Sequence, residues 1–351
     1  MKILLTQLRR IGDVITTTPA VRAIRASWPE AVIDYLTEPP SDEIFRANPY
    51  IDNIITAERR PSAAKYIQLV RELRKKRYNV AIDFFCNPAS AYLTRLSGAK
   101  CRIGFDLRFR KYFYTHTVNK DLFPPHIYAG IHKLALTAHI GVIPKGFEPE
   151  FPITEEIQRE ADEFLVSMGV GADDILVTLG LVTRHAFRQW PLERFAAVAD
   201  ALIDRYNAKI LFIYGQGEEC YPRNVQSLMK NRALPEYTLS TISRMRGVFT
   251  RATLHIGCDN GPGNIAKASG IPSLILYSNT RASNWMPPAA LISQESASKY
   301  VSFDIELDCK NRCLHERCPA PVCITGTSAE SVIKAAQRVL DKNEHADKKP
   351  L

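Results

Sequence analysis

The sequence predicts an α/β protein made of two successive domains, each a largely parallel sheet covered by helices. Three observations predict it. Short apolar strands alternate with helical segments through the first hundred residues, the pattern of a parallel sheet covered on both faces. The alternation stops at a Pro/Gly-punctuated stretch, Pro144–Pro149, and restarts near Asp174. A chain of 351 residues with 46% hydrophobic and 24% charged side chains has the size and balance of two globular cores rather than one.

The elements follow in order. Lys2–Thr6 reads as the first strand, followed by a loop in which Gly12 makes a tight turn and presents Asp13. Thr18-Pro19 then opens a helix, with Thr as N-cap and Pro at the first helical position. Ala31–Leu36 and Asn53–Ile55 are strands, a basic helix covers about 64–77, and Val80–Phe84 is a further strand. Residues 106–130 are aromatic and basic, ending in Pro124-Pro125, and read as a long loop, a class that often carries function. Helices near 127–140 and 154–168 flank the expected linker. In the second half, Asp174–Leu179, Lys209–Tyr214, Leu254–Cys258 and Pro272–Tyr277 are strands, with a helix over Pro191–Tyr206. Another helix follows Asp259–Asn264 and runs through Ser269. The last helix spans about Ser328–Asp341, capped by Ser328, with a frayed tail over His345–Leu351. The expected division is residues 1–165, residues 166–327, and a C-terminal helix and tail over 328–351 that could pack back on the first domain.

The formal net charge is +9, and all of it lies in residues 1–150, where 23 basic side chains face 14 acidic ones. The densest runs, Arg71–Arg77 and Arg108–Lys111, suit an anionic partner such as an acidic glycolipid or a phospholipid surface. They equally suit a solvated helix face. The N-terminal apolar run, Ile3-Leu4-Leu5, is too short for a signal peptide, and no window is long enough for a membrane span. The expected location is therefore the cytoplasm, with room for peripheral contact at the inner membrane. No G-x-G-x-x-G follows the first strand, which disfavours a dinucleotide enzyme. No recognisable RNA-binding motif accompanies the basic charge.

Three strand–loop–helix segments carry the candidate chemistry. In Asp259-Asn260-Gly261-Pro262-Gly263-Asn264, the two glycines let backbone approach a ligand, and the free N–H groups of the following helix suit a diphosphate. Asp259 cannot bind phosphate itself and could bond sugar hydroxyls; a plain packing turn also fits this segment. In Thr183–Pro191, Arg188 could reach the same diphosphate and stabilise a leaving group gaining negative charge, or could be a surface arginine beside a core tryptophan. In Arg10-Ile11-Gly12-Asp13-Val14, the carboxylate of Asp13 could remove a proton from an acceptor hydroxyl, or could be a turn aspartate.

Taken together, these segments resemble glycosyltransferase family 9, the ADP-heptose:lipopolysaccharide heptosyltransferases. The resemblance runs through Arg10–Ile15, Pro19–Ile24, Asn48–Asp52, Arg188–Phe195 and Asp259–Pro272, in order along nearly the whole chain. It implies a GT-B fold, two Rossmann-like domains with parallel sheets facing across a cleft, and metal-independent transfer of a heptose from ADP-heptose to the lipopolysaccharide inner core with inversion. It implies Asp13 as general base and Arg188 at the position of a diphosphate-neutralising lysine. Asp259, Asn260, Gly261, Pro262, Gly263 and Asn264 would form the donor site, Thr183 would touch phosphate, and Glu218 or Glu219 would hold the ribose. The implied partners are an ADP-sugar donor and an acidic glycolipid acceptor at the inner membrane, with no nucleic acid and no required cofactor. Two positions depart from the family pattern: Arg188 replaces lysine, and Asn264 replaces histidine, so the donor sugar could differ from the standard heptose. Another nucleotide-sugar donor, or a non-enzymatic nucleotide or nucleic-acid binder, are the competing readings.

No D-x-D motif occurs, so a metal-bridged nucleotide-sugar site of that type is unsupported. Cys309, Cys313, Cys318 and Cys323 lie within fifteen residues and could bind structural zinc, or could be free thiols packing a loop.

Overall fold

The computed structural model describes residues 1–237 and 239–346, the last four of these by backbone alone. The chain divides into two compact units, Met1–Pro152 with Ser283–Ile292, and Ile153–Ala282 with the chain from Ser293 on.

The first unit holds six strands, all parallel: β1 (Lys2–Thr6), β2 (Val32–Thr37), β3 (Asn53–Thr56), β4 (Val80–Asp83), β5 (Cys101–Phe105) and β6 (His116–Val118), in the order β3-β2-β1-β4-β5-β6. The strand order reverses between β1 and β4, and ligands of open parallel sheets bind at the carboxyl ends of strands at such a switch point. Near-continuous apolar runs, Ile3-Leu4-Leu5 in β1 and Val80-Ala81-Ile82 in β4, are what a sheet covered on both faces requires, and all six side chains are buried.

The second unit holds β7 (Leu176–Gly180), β8 (Lys209–Ile213), β9 (Leu254–Cys258), β10 (Ser273–Leu276) and β11 (Tyr300–Phe303), again all parallel, ordered β11-β10-β9-β7-β8. Here the switch point lies between β7 and β9. Trp190, Phe195, Val198 and Leu202 fill the core beneath this sheet together with Val332, Ala336 and Leu340 of the final helix.

Several elements differ from expectation, each for a local reason. Gly12 is not in a tight turn. Ile11–Ile15 form a short helix that buries Gly12, Val14 and Ile15, and Asp13 stands in its first turn. That helix ends so close to the next that Thr17 takes the N-cap position of helix Thr18–Ser27. The Thr18 hydroxyl instead donates to the Ile15 carbonyl and accepts from the Glu150 N–H. The stretch 106–130 is not a plain loop, because His116–Val118 add the sixth strand. The division lies at Pro152 rather than after 165. Helix Glu155–Ser167 lays Ala161 and Leu165 inward, and it packs on helix Ile242–Arg251 of the second unit. Gly247 allows that crossing, since a Cβ there would stand 2.7 Å from the Ala161 methyl. The final helix runs over Ala329–Ala346 and packs on helix Leu192–Tyr206, so it belongs to the second core rather than to the first. It continues two residues into the expected tail, and residues 347–351 lie outside those described.

Candidate functional site

In the first unit, Asp13 follows β1 and is half-buried. Three groups around it feel its charge: Tyr35, whose hydroxyl sits 2.7 Å from Thr17 Oγ1, and the lysines Lys120 and Lys133. Lys133, on helix Ala129–Thr137, is buried, and its ammonium donates to Gln7 Oε1 at 3.1 Å and to the Phe84 carbonyl. Gln7 and Phe84 leave the carboxyl ends of β1 and β4, so the lysine is pinned over the switch point. Burial pulls Lys133 down to about 8, against the opposing pull of Asp13. Lys120 is also lowered by burial, and its ammonium lies 4.1 Å from the centre of the Phe105 ring.

Asp83, at the end of β4, is fully buried. It accepts hydrogen bonds from the Tyr114 hydroxyl at 2.8 Å and from the N–H groups of Phe85 and Cys86 at 3.0 and 2.8 Å. Burial raises Asp83 and pushes the Cys86 thiol up to about 12. Sequence reasoning missed Gln7, Asp83 and Lys133. The signal available was position: two lie at the carboxyl ends of apolar strands, and the third is a lysine on the apolar face of a helix.

In the second unit the candidate residues come from both sides of its switch point. Arg188 closes a short 3-10 turn after β7, and Asp259 directly follows β9. They form an ion pair with Arg188 Nη2 2.5 Å from Asp259 Oδ2. The guanidinium also donates to the Asp259 carbonyl at 3.2 Å and to Ser278 Oγ at 3.2 Å. Thr280 donates its hydroxyl to Asp259 Oδ2 at 2.7 Å. Asp259 is buried, and its Oδ2 accepts from both Arg188 and Thr280. Beneath it lies a second buried lysine, Lys267, whose Nζ donates to the Tyr277 hydroxyl at 3.3 Å and which burial pulls down to about 8 against the charge of Asp259.

Asn260 caps helix Gly261–Ala268: its Oδ1 accepts from the Gly263 N–H at 2.9 Å, and its Nδ2 donates to the Val182 carbonyl at 2.8 Å. One side chain thus fixes the helix start and ties it to the loop bearing Arg188. Gly261 and Pro262 form the first turn. Gly263 lies close against the sheet. A Cβ there would stand 3.0 Å from Ile275 Cδ1 and 3.2 Å from the Cys258 carbonyl, so a larger residue would have to push its neighbours aside by a few tenths of an ångström. Asn264 is buried and spends an amide hydrogen on the Asn260 carbonyl at 2.8 Å.

Thr183 lies in the same loop, but its hydroxyl donates to the His185 carbonyl at 2.8 Å. Glu218 stands past β8, its carboxylate accepting from the Gly215 N–H at 2.7 Å, and Glu219 accepts from Gly217 at 3.0 Å. Gln189, overlooked in the sequence, laces the loop: its Oε1 accepts from the Thr183 N–H and its Nε2 donates to the Leu181 carbonyl. Trp190 is fully buried and donates its indole N–H to the Thr327 carbonyl at 2.9 Å, while Arg194 donates to the carbonyls of Thr325 and Thr327.

The late cysteines are free thiols, Cys309 exposed, Cys313 and Cys318 half-buried, Cys323 buried. The other three act electrostatically on Cys323, so the four are neighbours. Even so, among the described residues no group of three or more His, Cys, Asp or Glu side chains is arranged to hold a metal ion, and the zinc set expected as a possibility is not assembled. Among the described residues no helix is long and apolar enough to cross a membrane.

This arrangement has counterparts among known proteins. The family model for glycosyltransferase family 9 (heptosyltransferase) matches residues 66–315. Lipopolysaccharide heptosyltransferase 3 of Escherichia coli strain K12 is 23% identical, over 96% of this chain and 97% of its own. The crystal structure of the family 9 glycosyl transferase from Veillonella parvula superimposes with a TM-score of 0.85 at 24% identity, over 97% of each chain. That of E. coli heptosyltransferase WaaC with ADP does so with a TM-score of 0.72 at 16% identity, over 97% of this chain and all of its own. The fold is thus that of the GT-B heptosyltransferases, and the chain, a glycosyltransferase, belongs to family 9.

Proposed function

We propose that this chain transfers a heptose from ADP-heptose to a hydroxyl of the lipopolysaccharide inner core, inverting the anomeric centre and using no metal. The observation that carries the reading is the placing of Arg188 beside the start of helix Gly261–Ala268, through its ion pair with Asp259, the residue before the helix cap. A guanidinium beside the positive end of a helix suits a diphosphate. At this helix start Pro262 has no N–H and the Gly263 N–H is taken by the Asn260 cap, so the backbone contribution rests on the Gly261 N–H and the helix dipole. Relatives named as lipopolysaccharide heptosyltransferases, and one solved with ADP, support the choice of donor and acceptor class.

The chemistry divides between the units. On the first, Asp13 accepts the proton of the acceptor hydroxyl as its oxygen attacks the anomeric carbon. On the second, the bond from that carbon to the β-phosphate oxygen breaks, and ADP departs with its new charge held by Arg188 and the positive end of helix Gly261–Ala268. Asn260 fixes that helix start, and Thr183 and Glu218 are the proposed contacts to phosphate and ribose. The basic excess of residues 1–150 suits an acidic glycolipid presented at the inner membrane surface from the cytoplasmic side.

The test is transfer from ADP-heptose to a truncated lipopolysaccharide acceptor, with Asp13→Asn as control. The expected result is a loss of kcat of about a hundredfold or more, with ADP binding retained, because only the proton acceptor has been removed. Asp13→Asn enzyme with undiminished kcat would remove Asp13 from the reaction. Asn264 favours a second reading, another nucleotide-sugar donor, because its amide is turned to the Asn260 carbonyl. A larger thermal stabilisation by a different nucleotide-sugar than by ADP-heptose would favour that reading.

A further inference from the structure

We infer that residues 304–317 form a clasp across the switch point of the second sheet, and that Lys310 and Glu316 within it are positioning residues for Arg188. The inference rests on the reading of Arg188 as the group that holds the donor diphosphate.

The segment leaves β11 at the edge of the sheet and continues through two 3-10 turns, Asp308–Arg312 and His315–Arg317. It touches the loops on both sides of β9, the strand that Asp259 follows. One arm fastens the loop after β10. Asp304, directly after β11, accepts from the Ala282 N–H at 2.7 Å through Oδ2 and pairs with Lys310 through Oδ1. The Lys310 side chain is only 2% exposed, and its ammonium also donates to the Thr280 carbonyl at 3.4 Å. Arg281, between these two anchor points, donates to Glu306 at 2.9 Å. The backbone pinned in this way carries the Thr280 hydroxyl, which donates to Asp259 Oδ2 and lies 3.5 Å from Arg188 Nη2.

The other arm fastens the loop after β7. Glu316 Oε1 stands 2.8 Å from His185 Nδ1, and the His315 ring meets the Phe187 ring edge-on with 5.6 Å between centres. Cys313 holds this turn, its Sγ accepting from the His315 N–H at 3.3 Å. The His185 carbonyl accepts from the Arg188 N–H at 2.9 Å and from the Thr183 hydroxyl at 2.8 Å. One arm thus sets the main chain of Arg188, and the other sets the groups that its guanidinium meets.

A lysine is seldom buried unless it is paired, and Lys310 spends its burial on a carboxylate and a loop carbonyl. The loops it holds are otherwise the mobile part of such a fold. A charge fixed in place before the ligand arrives binds it better than one that must be ordered on binding. The two arms carry unequal weight. The His185–Glu316 contact is 37% and 64% exposed and contributes little alone, whereas the Lys310 pair is screened from water on the lysine side.

The experiment is a double-mutant cycle on the full-length protein, read by ADP titration, with Lys310→Met, Arg188→Met and the variant carrying both. Lys310→Met alone is expected to raise the ADP Kd about tenfold. With Arg188 already replaced, the same change should raise it by less than about twofold, because the lysine acts through the arginine. Glu316→Ala, which breaks the exposed contact, should raise the Kd about two- to threefold. A lysine that merely stabilised the unit would instead weaken ADP by the same factor in both backgrounds. Melting temperatures verify that the variants are folded. Should a methionine variant not fold, Glu316→Ala and Arg188→Lys take the two places in the cycle, with a coupling of the same sense and smaller size. ADP affinity unchanged by the Lys310 or Glu316 variant, or lowered equally with and without Arg188, overturns the inference. The two ideas fail distinguishably: undiminished ADP affinity in Arg188→Met sinks the donor reading and the clasp with it. A large loss in Arg188→Met beside an unaffected Lys310→Met sinks only the clasp.

Discussion

Asp13 and Asp259 stand at corresponding places in the two sheets, each in the segment that follows a strand flanking the switch point, and each within electrostatic reach of a buried lysine. Their surroundings differ. Asp259 is bound at short range by Arg188 and Thr280, and the neighbouring cap at Asn260 joins its loop to the loop after β7. Asp13 is half-exposed, and the cations that act on it, Lys120 and Lys133, are themselves depressed by burial. The difference teaches what each carboxylate is built for: one held by a guanidinium and a hydroxyl fixes the shape of its loops, whereas the half-exposed one is the carboxylate proposed to accept the acceptor proton.

The contrast is open to breakage by substitution on the second unit. The largest effect is expected from Arg188→Met, which leaves Asp259 buried without its bonded cation. Breaking such a pair costs about 3–5 kcal/mol. Lys267 still acts on Asp259, so the lower end is expected, together with a loss of ADP affinity. Urea denaturation and ADP titration measure both. Unchanged stability would mean that Asp259 is no more committed than Asp13. Thr280→Val removes a hydrogen bond to a charged acceptor, worth about 1.5–3 kcal/mol, and the same denaturation experiment reads it. The smallest effect belongs to Asn260→Ala. Loss of the helix cap costs about 1 kcal/mol, and the melting temperature should fall accordingly, with a further drop in ADP affinity as the helix start loosens. A cap variant that keeps full ADP affinity would separate the helix start from donor binding.

Much of the fold was legible because apolar strands of a doubly covered sheet announce themselves. Ile3-Leu4-Leu5 and Val177-Thr178-Leu179 needed no tertiary information. Strands β5 and β11 escaped notice: Cys101–Phe105 is interrupted by Arg102, and Tyr300–Phe303 lies at a sheet edge, where burial is partial. The motifs were easy to find, but their division of labour was not. Arg22, in the Pro19–Ile24 segment, donates to Glu150 at 2.9 Å and to the carbonyls of Lys145 and Glu148. Asp52, in the Asn48–Asp52 segment, accepts from Arg25 and from the Ile33 N–H at 2.6 and 2.7 Å. Such residues hold the frame, and a sequence alone does not distinguish them from residues facing substrate. Lys133 was illegible for the opposite reason. It belongs to no motif, and its meaning comes from Gln7 and Phe84, residues 126 and 49 positions away along the chain.

Trp190 and Arg194 have a consequence for the far end of the chain. Both fasten the end of the loop that bears Arg188 onto the carbonyls of Thr325 and Thr327, just before the terminal helix begins. Shortening or reshaping that C-terminal helix would therefore be felt as slack in the loop proposed to hold the nucleotide, more than a hundred residues upstream. An affinity tag or fusion partner placed there deserves a long spacer, and a clipped preparation should be suspected first when nucleotide affinity varies between batches.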